Sequence, residues 1–363
     1  MFYHLIYPLK TLFSPFNVFR YLTFRSLMAI FTSFIITLII SPCIIRKLKN
    51  IGIRDCNKRE HCELLNKINQ AKFGTPTMGG VIILFSFLLT FLLWSNLRVS
   101  YVWIVVTSVV WMALLGIADD RKKLFQQSSR GLDKKIKLLW QGVGGLGIGL
   151  YLYLQPENSF HTLTLPFFKD LSWNIGPFYP LFVTLFFICV TNAVNITDGM
   201  DGLATGCFLI ALLFYGVVSY LVGNIKFSQY LFLPYVKGSG ELMILCSSLI
   251  GAGLGFLWFN AYPAEIFMGD TGALALGGAL ATIALITKQE ILIFLVGGVF
   301  VVEGISVLLQ VISWRLFKKK VFLIAPIHHH FQYNGVPETK ITLRMWIVSL
   351  VLALLALATF KLR

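Results

Sequence analysis

The chain has 363 residues, 57% of them hydrophobic and only 13% charged, whereas a soluble protein carries roughly 25% charged residues. Its apolar residues come in runs close to the roughly 20 that cross a bilayer, which excludes an ordinary soluble globule and leaves no room for a separate soluble domain. The net charge of +15 does not call for nucleic acid as a partner, because membrane proteins collect Lys and Arg in their cytoplasmic loops.

In chain order the runs give spans near residues 24–45, 77–95, 101–118, 136–154, 178–195, 203–222, 241–259, 271–287, 290–314 and 342–360. No Pro interrupts the core of any of them, and no long repeat or linker divides the chain. The expected fold is all-α: a polytopic integral membrane protein of about ten transmembrane helices, in one domain over residues 1–363. The first run is long and lacks a small-residue cleavage site, so it reads as a retained span and not a cleavable signal. The six cysteines form no disulfide pattern, and Cys56, His61 and Cys62 lack the second ligand pair of a zinc site.

Loop charge sets the expected orientation. About 20 of the 31 Lys and Arg residues fall in the loops after spans one, three, five, seven and nine, against about 10 in the other connections and the termini. The odd loops are therefore expected in the cytoplasm and both termini in the periplasm, although Lys10, Arg20 and Arg25 run against the rule.

The polar motifs gather on that same side. They are KFGTPTMGG (Lys72 to Gly80), GIADDRKK (Gly116 to Lys123), NAVNITDGMDGLATG (Asn192 to Gly206), WFNAYPAEIFMGDTG (Trp258 to Gly272) and APIHHHFQYNGVPE (Ala325 to Glu338). Loops of one bundle can meet at one cleft. Simpler roles compete for each part. Asp270, Asp198 and Asp201 lie near helix starts, where Asp is a favoured cap. Asp119 and Asp120 close span three at the negative pole of its dipole, so they need a cation or a basic partner, for which Arg121, Lys122 and Lys123 are nearest. Glu303 lies mid-span, with Gln310 on roughly the same face, either as interhelical glue or as a wall of the cleft. The histidines 328–330 suit phosphate or substrate contact better than a transition metal, since no other imidazole lies near a motif.

Hard carboxylates suit magnesium, and glycine-rich turns at helix starts let backbone N–H groups approach phosphate. Lys72 and Lys122 add positive charge, and Phe267 offers a face for a planar base. Together they point to a nucleotide diphosphate handled at the cytoplasmic membrane surface, with a second reactant supplied through the bilayer. An ion-coupled transporter is the rival from another class, since intramembrane acids mark ion pathways. Transporters, however, place their sites near the midplane on broken helices, and these spans read as unbroken.

TPTMGG, the DD pair closing a span, TNAVNITDGMDGLA, NAYPAEIFMGDTGALALGG and PIHHHF, in this order, resemble the phospho-N-acetylmuramoyl-pentapeptide-transferase family of bacteria over nearly the whole chain. DGMDG also occurs in the wider polyprenyl-phosphate N-acetylhexosamine-1-phosphate transferase superfamily, so a UDP-GlcNAc enzyme is the alternative. The triple histidine and TPTMGG favour the muramoyl branch. The resemblance implies a magnesium-dependent transfer of phospho-MurNAc-pentapeptide from UDP-MurNAc-pentapeptide to undecaprenyl phosphate. The products are lipid I and UMP, in the first membrane step of peptidoglycan synthesis at the bacterial inner membrane. It implies Asp270 as the magnesium ligand and Asp119, Asp120 and Asp198 as catalytic acids, with direct attack by the lipid phosphate and Asp119 as its base. It implies substrate contacts at Lys72, Asn192, Gly199, Asp201, Asn260, Phe267 (near uracil), Gln310, His328, His329 and His330, and a homodimer in the membrane. Gln332 and Val336 stand where the family usually has Glu and Trp, and Glu265 where Gln is common.

Overall fold

The computed structural model describes residues 1–52, 74–126, 131–155, 160–165 and 172–362. The long helices among them are α1 (Leu22–Ile51), α2 (Gly80–Trp94), α3 (Ser100–Gln126), α4 (Lys134–Tyr153), α5 (Tyr179–Thr197), α6 (Leu203–Val222), α7 (Leu242–Asn260), α8 (Gly269–Ile286), α9 (Gly298–Phe317) and α10 (Glu338–Ala358). All but α2 and α4 are long and apolar enough to cross a membrane by length and composition. Helix α2 is apolar but has 15 residues, and α4 begins on Lys134, Lys135 and Lys137 and is rich in glycine. The all-helical polytopic expectation is borne out. To it the structure adds a small antiparallel ladder of β1 (Thr162–Thr164) and β2 (Ser172–Asn174), in which Thr162 faces Asn174.

Helix α8 occupies the centre, with every residue from Thr271 to Ile286 buried. Without a hydrophobic drive between helices in lipid, close packing of small residues brings them together. The GALALGGALA run of α8 provides such a surface to α3, α5, α2 and α6. Two neighbouring glycines fix its first turn. A Cβ on Gly80 of α2 would lie 2.2 Å from the Gly272 nitrogen, and one on Gly116 of α3 would lie 2.5 Å from Thr271 Cα. No side chain fits at either contact, so both backbones are seated against the start of α8.

Two expectations fail. Pro42, near the expected end of span one, lies well inside α1, since the helix continues through it to Ile51. Span nine is not one helix: a short turn, Ile293–Val296, ends at Gly297 and α9 begins at Gly298. The Gly297–Gly298 pair permits this break, since glycine contributes least to holding a helix together.

Successive long helices run in opposite directions, so the C-terminal ends of α3, α5 and α7 meet the N-terminal ends of α4, α6 and α8 at one end of the bundle. At the other end Arg25 of α1 and Glu241, just before α7, form a buried bidentate pair at 2.6 and 3.0 Å. Arg25 also donates to the Trp94 carbonyl, and Glu241 accepts from the Asn96 N–H. Leu308, Leu350, Leu354 and Ile39 are among the apolar side chains exposed on α9, α10 and α1, as expected of surfaces that face lipid.

Candidate active site

The site is built where those six helix ends meet. Asp119 and Asp120 are buried on α3, but they do not end it, since the helix runs on to Gln126. Lys123, one turn on, explains the continuation: its Nζ lies 2.8 Å from Asp119 Oδ2, the i,i+4 pairing that supports a helix. The expectation of carboxylates at the negative helix pole is therefore replaced by carboxylates inside the helix with a cation on the next turn.

The two aspartates do different things. Asp120 turns to the start of α8, accepting from the Asp270 N–H at 3.1 Å, the Thr271 N–H at 2.9 Å and the Thr271 hydroxyl at 2.7 Å. It serves as a cap supplied by another helix, meeting donors that the first turn of α8 cannot satisfy itself. Asp270 is not a cap. It sits in the first turn of α8, where the helix dipole favours an anion.

Asp119 and Asp270 are bridged by two lysines. Lys123 Nζ also lies 3.1 Å from Asp270 Oδ1, while Lys137 Nζ of α4 lies 2.9 Å from Asp119 Oδ1 and 3.0 Å from Asp270 Oδ2. Asp119 further accepts from the Leu132 N–H, and Asn195 Nδ2 donates to Asp270 Oδ1 at 3.1 Å. Carboxylate oxygens of Asp119, Asp120 and Asp270 lie within 4.8 Å of one another, so the group can hold a metal ion. Asp198 closes α5 beside them. Burial, and then the charges of Asp270, Asp120 and Asp201, push its carboxyl up to about 8.

A second layer knits the loops. Asp201 accepts from the Ala264 N–H at 3.1 Å, and its own N–H donates to Glu338 Oε1 at 2.8 Å. Asn260 Oδ1 accepts from the Gly202 N–H and the Thr205 hydroxyl, and its Nδ2 donates to the Ile266 carbonyl. Gly202 takes a left-handed φ of +69° in this turn. Both predicted substrate residues, Asp201 and Asn260, are thus buried and engaged in loop architecture. Phe267 is half-buried and its N–H donates to the Pro76 carbonyl, which joins the MGDTG approach to the TPTMGG segment.

The other expected residues are more scattered. Asn192 sits lower on α5 and donates to Gln141 Oε1 of α4 at 2.9 Å. Gln310 of α9 accepts from the Val321 and Phe322 N–H groups. The histidines lie on a short helix, Ile327–Tyr333. His328 and His329 are buried against Gly199, and His330 is partly exposed and accepts from the Leu323 N–H through Nδ1. Lys72 and the Cys56, His61, Cys62 group lie outside the described residues. Sequence reasoning missed Lys137, Asn195 and Glu338. Asn195 lay inside a quoted motif, but Lys137 looked like one of several basic residues opening a span.

Carboxylates and lysines gathered at one end of a multi-pass bundle, with apolar faces around them, are the parts of a membrane-embedded transferase that handles phosphorylated substrates. Comparison with known proteins makes the class specific. Residues 102–288 match glycosyl transferase family 4, and residues 72–84 match phospho-N-acetylmuramoyl-pentapeptide-transferase signature 1. Relatives named phospho-N-acetylmuramoyl-pentapeptide-transferase from Citrifermentans bemidjiense and from Geobacter sp. (strain M21) are 47% identical over 363 residues, covering 100% of both chains. One from Desulfotalea psychrophila is 47% identical over 364 residues with the same coverage. The chain belongs to the phospho-N-acetylmuramoyl-pentapeptide-transferase family.

Proposed function

We propose that this protein transfers phospho-MurNAc-pentapeptide from UDP-MurNAc-pentapeptide to undecaprenyl phosphate, yielding lipid I and UMP, at the Asp119–Lys123–Lys137–Asp270 cluster. The observation that carries the assignment of the site is the sharing of two lysines between two carboxylates from different helices. Donor and acceptor are both phosphate esters, so the reaction forces like charges together. Such transfer is catalysed mainly by positioning and charge neutralisation.

The donor set suits magnesium. It consists of carboxylate oxygens with no thiolate or imidazole, and magnesium is commonly held by one or two carboxylates together with substrate phosphates. Asp120 is occupied by the start of α8, so Asp270 and Asp119 are the residues that would hold the ion. When bound, it would supply Lewis-acid neutralisation of the diphosphate. Lys123 and Lys137, each shared between carboxylates, are placed to pass to substrate phosphate oxygens. Asp119, held by both lysines and the Leu132 N–H, serves better as their anchor than as a base. None is needed, because a lipid monophosphate with a second pKa of about 6 is already largely dianionic at neutral pH. Its oxygen attacks the phosphorus attached to the sugar, the pyrophosphate bond breaks, and UMP leaves. Phe267 is proposed to face uracil and His330, the most open of the three histidines at 328–330, the substrate's edge.

The site faces the cytoplasm in this reading, supported by the basic loops on its side of the bundle. Cysteine placed at Asn334 should label only in opened cells and cysteine at Lys226 in intact ones; the reverse pattern would invert the orientation. A homodimer in the bilayer belongs to the same proposal, and crosslinking in native membranes tests it. The function itself is tested by UMP release with UDP-MurNAc-pentapeptide or UDP-GlcNAc as donor, with and without magnesium. Release is expected from the muramoyl donor with undecaprenyl phosphate and magnesium. Preferred use of UDP-GlcNAc, or donor uptake into vesicles without UMP formation, would overturn it.

A further inference from the structure

Glu303 and His328 form a buried pair that the reaction above does not use. Glu303 belongs to α9 and His328 to the short histidine helix, and both are 0% exposed. His328 Nδ1 lies 3.0 Å from Glu303 Oε2, and the same oxygen accepts from the His328 backbone N–H at 3.5 Å. Ser306, one turn along α9, repeats the tie: its hydroxyl donates to the Glu303 carbonyl and accepts from the Ile327 N–H at 3.1 Å. Among the described residues, Glu303 Oε1 and both ring nitrogens of His328 have no hydrogen-bond partner, so the ring and the carboxylate meet by proximity and charge. Burying a carboxylate at this depth is costly, so the pair needs a reason beyond joining two elements that Ser306 already joins.

The reason lies on the far edge of the imidazole. A Cβ on Gly199 would meet His328 Nε2 at 2.4 Å, His328 Cε1 at 3.0 Å and His329 Nε2 at 3.4 Å. The ring therefore fits against the 199 backbone only because that residue is glycine. Gly199 follows Asp198 directly and opens the turn that leads to Asp201. The far end of that turn is pinned by Glu338, Ala264 and Asn260. The near end rests on His328. The Glu303 carboxylate 3.0 Å from Nδ1 limits which way round this buried imidazole can sit.

We propose that Glu303 is a positioning residue for the transfer reaction, acting through His328 and Gly199 to hold Asp198 at the carboxylate–lysine cluster. This inference rests on the proposed reaction but can fail independently of it. The experiment is a double-mutant cycle of Glu303→Gln and His328→Asn, reading kcat and both KM values for UMP release, with the thermal midpoint measured alongside. Glu303→Gln should lower kcat roughly 10- to 100-fold, the scale of a misplaced catalytic geometry. Both KM values should change by less than about threefold, marking a loss confined to the transition state. The double variant should be no slower than His328→Asn alone, since residues acting as one unit are non-additive. Gly199→Ala should cost activity in the native background and far less in the His328→Asn background, where the clash is relieved. A wild-type kcat in Glu303→Gln, or losses that multiply in the double variant, would overturn the proposal. If Glu303→Gln does not fold, Glu303→Asp enters the same cycle. UMP release by the native protein and its loss in Asp270→Asn report on the reaction itself and stand apart from either outcome.

Discussion

Replacing Asp120 with Asn separates a role in positioning from one in chemistry. Asp120 presents two oxygens to the start of α8: Oδ1 accepts the Asp270 N–H, while Oδ2 accepts both the N–H and the hydroxyl of Thr271. Asn has one acceptor oxygen. It loses least by keeping that oxygen on the Thr271 side, which turns its NH2 toward the Asp270 N–H. One part-buried donor is then left facing another, at a cost of about 1–3 kcal/mol for the unmet group. The cost falls at the peptide of Asp270, so the first turn of α8 should move or fray and take the Asp270 carboxylate with it. If that displacement is fully expressed in the transition state, kcat falls about 5- to 150-fold. The diagnostic quantity is the magnesium concentration giving half-maximal UMP release, which should rise together with the loss of kcat. Thr271→Val removes only the hydroxyl donor and should show the same pattern more weakly, from a loss of about 0.5–1.5 kcal/mol. A fall in kcat with unchanged magnesium dependence would refute the reasoning and place Asp120 on the reacting atoms. No effect at all would refute the capping role.

Gly116→Ala should abolish most UMP release and lower the thermal midpoint, since its Cβ would sit 2.4 Å from the Asp270 carbonyl oxygen and 2.5 Å from Thr271 Cα, both backbone atoms. Lys137→Ala removes a cation shared by Asp119 and Asp270; the midpoint without divalent cation should fall, and magnesium should restore more of it than in the native protein. Burial pushes Glu290, in the loop after α8, up to about 8 from an ordinary 4.5, and neither of its oxygens has a hydrogen-bond partner among the described residues. Because the folded state then holds a proton that the unfolded chain releases, stability falls as pH rises between those two values, and Glu290→Gln should raise the thermal midpoint more at about pH 9 than at about pH 5.

The helices were legible because a bilayer admits few alternatives: a run of apolar residues must satisfy its own backbone as a helix. Breaks within a run were not. Gly297 and Gly298 stand in an apolar stretch, and glycine is common enough in membrane helices to pass unnoticed. The carboxylates were legible as a set, since Asp119, Asp120, Asp198 and Asp270 were costly residues at the ends of apolar runs. Their individual roles were not, because those depend on contacts across the chain. Nothing local to Asp120 announces that it caps a helix starting at Gly269, and nothing local to Lys137 distinguishes it from Lys134 or Lys135. Only the folded bundle brings its ammonium group to Asp119 and Asp270 while the other two lysines remain exposed.

The lysine bridges also bear on how two anions can be brought together here. Without substrate, the carboxylates of Asp119 and Asp270 face the ammonium groups of Lys123 and Lys137, while Asp120 beside them is turned to the start of α8, so nothing in the cluster is left as free positive charge. A diphosphate entering such a cluster gains little, because each lysine must leave a carboxylate to reach it. A divalent cation held by Asp270 and Asp119 would leave those carboxylates a counter-charge when Lys123 and Lys137 turn away, freeing both lysines for phosphate. Metal and lysines would then be alternative partners of the same carboxylates. Carboxylate oxygens within 4.8 Å of one another repel strongly unless a cation lies between them, and Lys123 and Lys137 fill that place between Asp119 and Asp270. A metal ion replacing the lysines there would have to be in place before they depart, because otherwise the two carboxylates would be left facing each other uncompensated.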